Sequence, residues 1–489
     1  MPYKDAALSF RWLGFLLSAL LPVLAGCSAT PLQLDVFASR RHGDLKPVDA
    51  VADHQAVSVN EPISADQEKP AAAGEMSAPS APAPSAPAPM PMVEPRAAAL
   101  SLTDLEGIAV QNNPTLAAAV ARIQSAQGRR VQAGLYPNPV VGYHATEVGN
   151  RGTSGGQGGF VSQRFITAGK LQLDEAIAGK ELDEAHFRWE AQELRVLNDV
   201  RIRYFEALIA QQRVELTAEL VQIGDNLVDA TETLLEDKQA TENDLLQAEI
   251  RAENAHILHD NATNEHVEAW RRLVAVLGVP QMELTPLHGE PDSQLPDFAW
   301  EECYEAILAS HPEVNAARMR VERERLAIAR AKREPIPNVD AFVSIRHNEL
   351  TDSDVANVQV GIPIPIFDKN QGNLRRAEAD WVAASREVDH VALALQDRFA
   401  VTFRRYRNAF QQAKRYGETI VPKAKRSLAL VTQGYEKGQV EYLTLLTAQQ
   451  TYVEVSLSHL DSLRELQIAS AILEGKLLTG SLDSPRSIR

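Results

Sequence analysis

Residues 182–221, LDEAHFRWEAQELRVLNDVRIRYFEALIAQQRVELTAELV, decide the fold because their apolar side chains recur in a heptad pattern. The recurring positions are Leu182, Ala185, Trp189, Val196, Val200, Ala207, Val214 and Val221. Such a seam is typical of a coiled coil. No proline interrupts residues 168–237, so we predict one helix that is roughly 105 Å long at ~1.5 Å per residue. A compact domain has no room for a rod of this length.

The same pattern returns about two hundred residues later, which predicts a second rod. Its apolar positions are Val391, Leu395, Phe399, Phe403, Tyr406, Phe410 and Ala413. Gly224 and Pro422 occupy nearly matching places, and we expect a local break in the helix at each. After each rod the sequence predicts a tight turn and a returning helix, at 243–277 and 443–478.

Paired landmarks show that the chain is a duplication. Asn113-Pro114 matches His311-Pro312 at an offset of 198, Tyr204 matches Tyr406 at 202, and Leu245-Leu246 matches Leu445-Leu446 at 200. A period this long excludes a solenoid, whose repeats are much shorter. We predict two domains of one kind, residues 100–297 and 298–480, followed by a short tail at 481–489.

Each repeat is predicted to begin with a helix, at 102–135 and 300–333, which ends at paired prolines. Two strands follow in each repeat, at 139–148 and 158–166 and then at 338–347 and 355–364. In the third strand Val339, Ala341, Val343 and Ile345 point one way, and Asp340, Phe342, Ser344 and Arg346 point the other. Strands of this length cross a bilayer at a tilt.

Four strands cannot close a membrane barrel, because small barrels need eight. An open sheet edge is not tolerated in lipid. Three chains would supply twelve strands and close the edge. The predicted fold class is therefore mainly α with a membrane β-barrel: a trimer forms a 12-stranded barrel that a long α-helical tunnel continues.

The N-terminus has the features of a lipoprotein signal. Lys4 and Arg11 precede a short apolar run, Trp12 to Leu24, which ends in Leu24-Ala25-Gly26-Cys27. This ending resembles the bacterial lipobox, so residues 1–26 are expected to be removed and Cys27 to be lipidated. Ser28 in the next position favours the outer membrane by the same resemblance. Residues 27–99 include Ala/Pro/Ser repeats and are predicted to be an extended tether.

Composition excludes several functions. The chain of 489 residues has a formal net charge of −16, which argues against nucleic-acid binding. No nucleophile–base arrangement stands out, so we predict neither an enzyme nor a cofactor. His256, His259 and His266 share a predicted helix and could hold a metal, but we interpret them as a solvated face and predict no metal site. Cys303 is interpreted as a small buried apolar residue.

These features together resemble the TolC outer-membrane efflux family across residues 100–480. The N-P motif and the stretch from Gly434-Tyr435 through Gly438 to about Glu454 resemble that family's first helix and C-terminal hairpin tip. More narrowly, Gln163-Arg164-Phe165 through Gly169-Lys170, and Ile362-Pro363-Ile364-Pro365-Ile366-Phe367-Asp368-Lys369-Asn370-Gln371-Gly372-Asn373, resemble the heavy-metal CzcC-like branch. The chain departs from that branch at Ile166-Thr167-Ala168, where an acidic-leucine-glycine stretch is usual.

The resemblance implies an outer-membrane duct of a tripartite RND-type efflux system that exports heavy-metal cations. Its implied partners are two further copies of the chain, a periplasmic adaptor and an inner-membrane pump. The turns would form the tunnel tip that docks the adaptor, through Lys238, Asp244, Leu245, Leu246, Gly438, Glu441, Leu445 and Leu446. Acidic residues near the turns could favour cations at the mouth, or could serve as helix caps. Multidrug export and type I protein secretion are alternatives, as is a periplasmic coiled-coil scaffold or adaptor.

Overall fold

The computed structural model describes residues 99–238, 240–292, 296–437 and 439–483. In each repeat two helices are followed by two strands and then by long helices, as the duplication predicts. The first repeat holds α1 (Leu102–Asn112), α2 (Pro114–Ala133), β1 (Val140–Thr146), β2 (Gly156–Phe165), α3 (Lys170–Glu236) and α4 (Glu242–Leu277). The second holds α5 (Trp300–Ser310), α6 (Pro312–Arg333), β3 (Val339–Asn348), β4 (Ser353–Gly361), α7 (Gln371–Arg415), α8 (Val421–Glu436) and α9 (Tyr442–Glu474).

The long rod of the first repeat is confirmed, and it is more continuous than expected. Helix α3 runs for 67 residues, about 100 Å at ~1.5 Å per residue. The predicted break at Gly224 was wrong, because the helix continues through it. A β-carbon at Gly224 would lie 3.1 Å from the Cα of Ala252 on α4. The glycine therefore lets the two helices approach closely and does not interrupt the backbone.

The rod of the second repeat does change its winding near Pro422. Residues Tyr416–Ile420 form a π-helical turn between α7 and α8, and Pro422 lies in the first turn of α8. Proline has no N–H to donate to the preceding turn, and a wider turn accommodates that loss. The predicted break is thus confirmed as a local π turn within one rod.

The predicted opening helices, 102–135 and 300–333, were wrong as single helices. Each is divided at the residue before proline: α1 ends before Asn113, and α5 ends before His311. Asn113 has φ −70° and ψ 118°, and His311 has φ −72° and ψ 122°. Proline disfavours helical backbone in the residue before it. Both residues instead cap the next helix through a side-chain acceptor.

The four strands form one antiparallel sheet in the order β1-β2-β3-β4. Val141 pairs with Val161, Val161 with Val343, and Val343 with Val358, so these valines share one face. Eight large apolar side chains between 41% and 74% exposed define this apolar face: Val141, Tyr143, Val161, Phe165, Val343, Ile345, Val358 and Val360. We call the opposite side, which carries Arg164, Asp340 and Arg346, the polar face.

The helices pack side by side in one layer. Next to the sheet the order is α2, α3, α6, α7, and towards the far end it is α4, α3, α9 and then α7 with α8. Two buried clusters hold the middle, one centred on Tyr204 and one on Tyr406. Within the part of the chain described above, no helix is both long and apolar enough to cross a bilayer.

Candidate functional site: the sheet and the helical tips

One face of the sheet exposes large apolar side chains. Antiparallel pairing brings the large apolar side chains of all four strands to one side, and they are exposed there rather than packed. The strands are 7, 10, 10 and 9 residues long. Alternation of apolar and polar residues over about 9–11 residues per strand is the pattern of a membrane β-barrel.

Both edges of this sheet are open. Among the described residues β1 pairs only with β2, and β4 pairs only with β3. The unpaired backbone groups along each edge would cost several kcal/mol each in hydrocarbon. A four-stranded sheet with a lipid-facing side therefore needs further strands at both edges.

The layer of helices has matching open edges. Helices α2 and α4 lie at one edge, and α7 and α8 lie at the other. Each edge carries large apolar side chains that are 42% to 66% exposed: Val120, Val131, Ile250 and Ile257 on one side, and Val382, Leu393, Val401 and Leu430 on the other. Exposed apolar stripes of this kind mark protein–protein contacts.

The tip of the first repeat is a capped turn. Thr241 and Asp244 form a capping box in which the Asp244 amide donates to the Thr241 hydroxyl and the Thr241 amide donates to the Asp244 carboxylate. The hydrogen bonds from the Thr241 side chain and backbone lower the pKa of Asp244. Lys238 adopts a left-handed φ of 59°, which is uncommon outside glycine. Asp244 thus caps the helix rather than standing free at the tip.

The tip of the second repeat is less fully capped. Glu441 precedes α9 in extended conformation and makes no side-chain cap. The Gln439 amide donates to the Gly434 carbonyl at 2.8 Å and closes the turn. Gly438 lies outside the described residues.

The four predicted leucines divide into two kinds. Leu445 and Leu446 are 2% and 1% exposed and pack with Leu227 and Ala248 in a cluster that we call the tip cluster. Leu246 is 51% exposed, and Leu245 is half-buried. Although Leu246 and Leu446 are matched in sequence, only the first offers a free apolar surface.

Two tyrosines flank the tip cluster. The rings of Tyr435 and Tyr442 lie 5.9 Å apart. Burial, and then the neighbouring Tyr435, raise the pKa of Tyr442 to about 12. This phenol stays neutral at physiological pH and adds apolar area to the tip.

The two hairpins differ strongly in charge. Residues 219–260 hold 11 acidic and 2 basic residues, whereas residues 418–460 hold 4 of each. A net charge of −9 concentrated on one hairpin attracts cations and repels anions. Acidic residues near both turns were identified from the sequence, but the confinement of the net negative charge to the hairpin of the first repeat was missed.

Lys170 ties the sheet to the helices and was missed as a structural residue. Its side chain is 2% exposed, and its Nζ donates to the Ile336 carbonyl at 2.6 Å and to Asn338 Oδ1 at 2.9 Å. It therefore joins the start of α3 to the junction between α6 and β3. The Gly169-Lys170 motif was the available signal, although nothing in it predicts these partners.

His256 and His259 of α4 face separate partners. His256 Nε2 lies 3.2 Å from Asp225 Oδ1, and His259 Nδ1 lies 3.2 Å from the Thr217 hydroxyl. Burial lowers the pKa of His266. Across the described residues, no group of three potential ligands is arranged to hold a metal ion. Cys303, which was interpreted as a buried apolar residue, is half-buried, and burial raises the pKa of its thiol.

Comparison with known proteins places these features in a family. The family model for "Outer membrane efflux protein" matches residues 106–279 and 303–477. The cobalt-zinc-cadmium resistance protein CzcC of Cupriavidus metallidurans is 24% identical over 394 residues, which cover 78% of this chain and 91% of that protein.

Solved structures share the fold. The outer membrane protein VceC of Vibrio cholerae superposes with a TM-score of 0.64 at 19% identity, over 77% of this chain and 96% of that chain. CusC superposes with a TM-score of 0.63 at 18% identity, over 79% and 94%. The family model accounts for well over half of the sequence, once in each repeat. The chain therefore belongs to the outer membrane efflux protein family.

Proposed function

We propose that three copies of this chain close a 12-stranded barrel and a helical tunnel, which together form the outer-membrane duct of a tripartite RND-type system for heavy-metal cations. The observation that carries the proposal is the four-stranded sheet with one exposed apolar face and two open edges. Pairing of β4 with β1 of the next copy would satisfy both edges at once. Repetition of this head-to-tail contact generates a ring if the rotation closes.

The helical layer supports the same closure. The edge formed by α2 and α4 would meet the edge formed by α7 and α8 of the next copy. Each carries exposed apolar side chains that such a contact would bury, at about 25 cal/mol per Å². The trimer would thereby bury the surfaces that the protomer leaves open.

The proposed cargo, heavy-metal cations, rests on the similarity of the chain to CzcC and on the negative charge of the first hairpin. CzcC, named for cobalt, zinc and cadmium resistance, aligns along most of this chain. The strongly acidic hairpin at 219–260 would raise the local concentration of cations at the tunnel entrance. Both observations favour metal cations over the multidrug and protein-secretion alternatives.

The tips are proposed to dock a periplasmic adaptor that links the duct to an inner-membrane pump. They lie at the ends of the long helices, distal to the sheet, and Leu246 offers apolar surface there. Lys238, Asp244 and Glu441 would surround that contact with charge. Cys27 is proposed to carry the lipid anchor; it lies outside the described residues. Cys27→Ser should remove acyl labelling of the protein while the barrel still inserts.

Assembly is tested by purification in mild detergent. The protein should need detergent for extraction, run as a trimer by native mass measurement and form channels in planar bilayers. A water-soluble monomer without conductance would instead support a periplasmic scaffold or adaptor and contradict the duct.

Cargo is tested in the bacterium that carries the protein. Loss of the chain should sensitise cells to cobalt, zinc or cadmium, and restoration of the chain should reverse this. Sensitivity to drugs alone would favour multidrug export, and loss of a secreted protein alone would favour type I secretion.

A further inference from the structure

The polar face of the sheet carries one positive charge without a carboxylate partner. Arg164 Nε pairs with Asp340 Oδ1 at 2.7 Å, so these two charges neutralise each other. Arg346 lies on the same face, next to Gly158 in the register. Within the described ranges, no acidic side chain lies within ion-pair distance of Arg346. Its only side-chain hydrogen bond there is donated to the Thr146 hydroxyl.

Arg346 can lie flat against the sheet because its neighbours Gly156 and Gly158 have no side chains. A β-carbon at Gly158 would lie 2.5 Å from the Cα of Arg346, and one at Gly156 would lie 3.0 Å from its Cδ. The two glycines leave a shallow channel in which the arginine stem lies across β2 and reaches Thr146 on β1. The guanidinium is therefore fixed at the wall, while its Nε is buried without an acceptor.

Apart from Arg164, Asp340 and Arg346, the described strand residues of this wall carry no carboxylate, lysine or arginine. Phe160 stacks on Phe342 with ring centroids 5.3 Å apart, and Gly142 leaves room for Phe160. His144 packs edge-on against Phe342 at 6.0 Å. Asn357 and Gln359 complete the polar face on β4. Among the described strand residues, the only carboxylate and guanidinium groups on this face are those of the Arg164–Asp340 pair and of Arg346.

In a membrane barrel the apolar face points to lipid and the polar face points to the lumen. We propose that Arg346 forms a ring of three positive charges on the inner wall of the barrel and makes this section of the duct selective against cations. The inference rests on the trimeric barrel proposed above. Rings of charged side chains are a common source of ion selectivity in pores.

With the ring, the duct carries negative charge at its periplasmic entrance and positive charge in its barrel. The acidic hairpins would gather cations at the entrance, and Arg346 would raise the free energy of any cation inside the barrel, whichever way it moves. This barrier is the same for inward and outward movement, so the direction of export depends on the high cation concentration that a pump delivers at the entrance. Arg346 thus lowers the passive permeability of the barrel to cations in both directions.

The test is the reversal potential of single channels in planar bilayers under a KCl gradient. Arg346→Gln should raise the K⁺/Cl⁻ permeability ratio by about twofold relative to wild type, and Arg346→Glu should raise it further. The shift should shrink from 0.1 M to 1 M salt, because the Debye length falls from about 10 Å to about 3 Å. Arg346→Lys keeps the charge and should keep the wild-type ratio, which separates charge from packing.

The double variant Arg164→Gln with Asp340→Asn is the matched control. It removes two charges from the same wall without changing the net charge, so its permeability ratio should stay that of wild type. Channels whose ratio is unaltered in both Arg346→Gln and Arg346→Glu would overturn the ring but leave the duct intact. If wild type formed no channels at all, the barrel itself would be refuted, and the ring with it.

Discussion

The side-chain amide of Asn113 donates to the carbonyl oxygen of Val276 at 2.7 Å, across 163 residues of sequence. Its Oδ1 accepts from the Thr115 amide at 2.9 Å and so caps α2. One buried side chain thus starts a helix and fastens the end of α4 to it. In the second repeat His311 does the same, with Nε2 3.0 Å from the Lys476 carbonyl and Nδ1 accepting from the Glu313 amide.

Asn113→Ala should destabilise the protein by about 2–3 kcal/mol, because it removes both a helix cap and a buried hydrogen bond. Thermal unfolding in detergent measures the loss. Asn112→Ala is the matched control. Asn112 is exposed, and among the described residues its side chain bonds only to the Ile108 carbonyl of its own helix, so its loss should change stability by less than about 0.5 kcal/mol. Equal effects of the two substitutions would contradict the role of Asn113 as a cap and as the link to α4.

His311 should make stability depend on pH. Its ring must be neutral, because Nδ1 accepts a hydrogen bond while Nε2 donates one. Burial lowers the pKa of His311, the Glu313 carboxylate raises it, and Arg398 and Lys476 lower it. The unfolded imidazole, with a pKa of about 6.5, takes up a proton before the folded one does. The stabilisation is therefore present above that pH and is lost as the pH falls through the folded pKa.

His311→Asn installs the side chain of the first repeat and removes this titration. The variant should match wild type in stability near pH 8 and lose less stability between pH 6.5 and pH 5. Comparison with wild type cancels the contribution of His266 and His459, whose pKa values burial also lowers. A pH profile identical to that of wild type would show that His311 does not titrate with folding.

Gly224→Leu should loosen the hairpin of the first repeat, because a side chain there meets the Ala252 backbone on α4. Overpacking of this kind costs about 1–3 kcal/mol. Amide hydrogen exchange should increase in residues 219–260. Gly128→Leu serves as control, since no atom of the described residues lies within 4 Å of a β-carbon there and leucine favours helix by about 0.5–1 kcal/mol over glycine. Unchanged exchange in Gly224→Leu would refute the close approach.

Leu246→Asp and Leu446→Asp should separate docking from folding at the tips. Leu446 is buried in the tip cluster, so a carboxylate there should expose the hairpins to proteolysis. Leu246 is exposed, so its replacement should leave trimer and tip order intact but weaken cross-linking to the adaptor and lower metal resistance. Full export by Leu246→Asp at normal expression would show that Leu246 is not needed for docking of the adaptor.

The periodic parts of this fold could be predicted because they depend on local pattern. The heptad seam of α3, the strand alternation around Val343 and the repeat offset all follow from spacing along the chain. The heptad seam and the strand alternation each place apolar side chains on one side of an element, whatever that side contacts. The predicted helix ends near Leu277 and Glu236 agree with the structure within about two residues, because caps and turns are local as well.

Side-chain roles at the tips and in the repeat cores depended on tertiary packing. Leu246 and Leu446 are matched in sequence, yet Leu246 is exposed and Leu446 is buried, since Leu446 belongs to the tip cluster with Leu227 of the other repeat. Gly224 was expected to break a helix, but it instead allows α4 to approach closely at Ala252. Sequence by itself determined the duplication, the rods and the two-sided strands. Only the tertiary structure decided which glycine, leucine or arginine meets a partner, because those contacts join residues far apart in the chain.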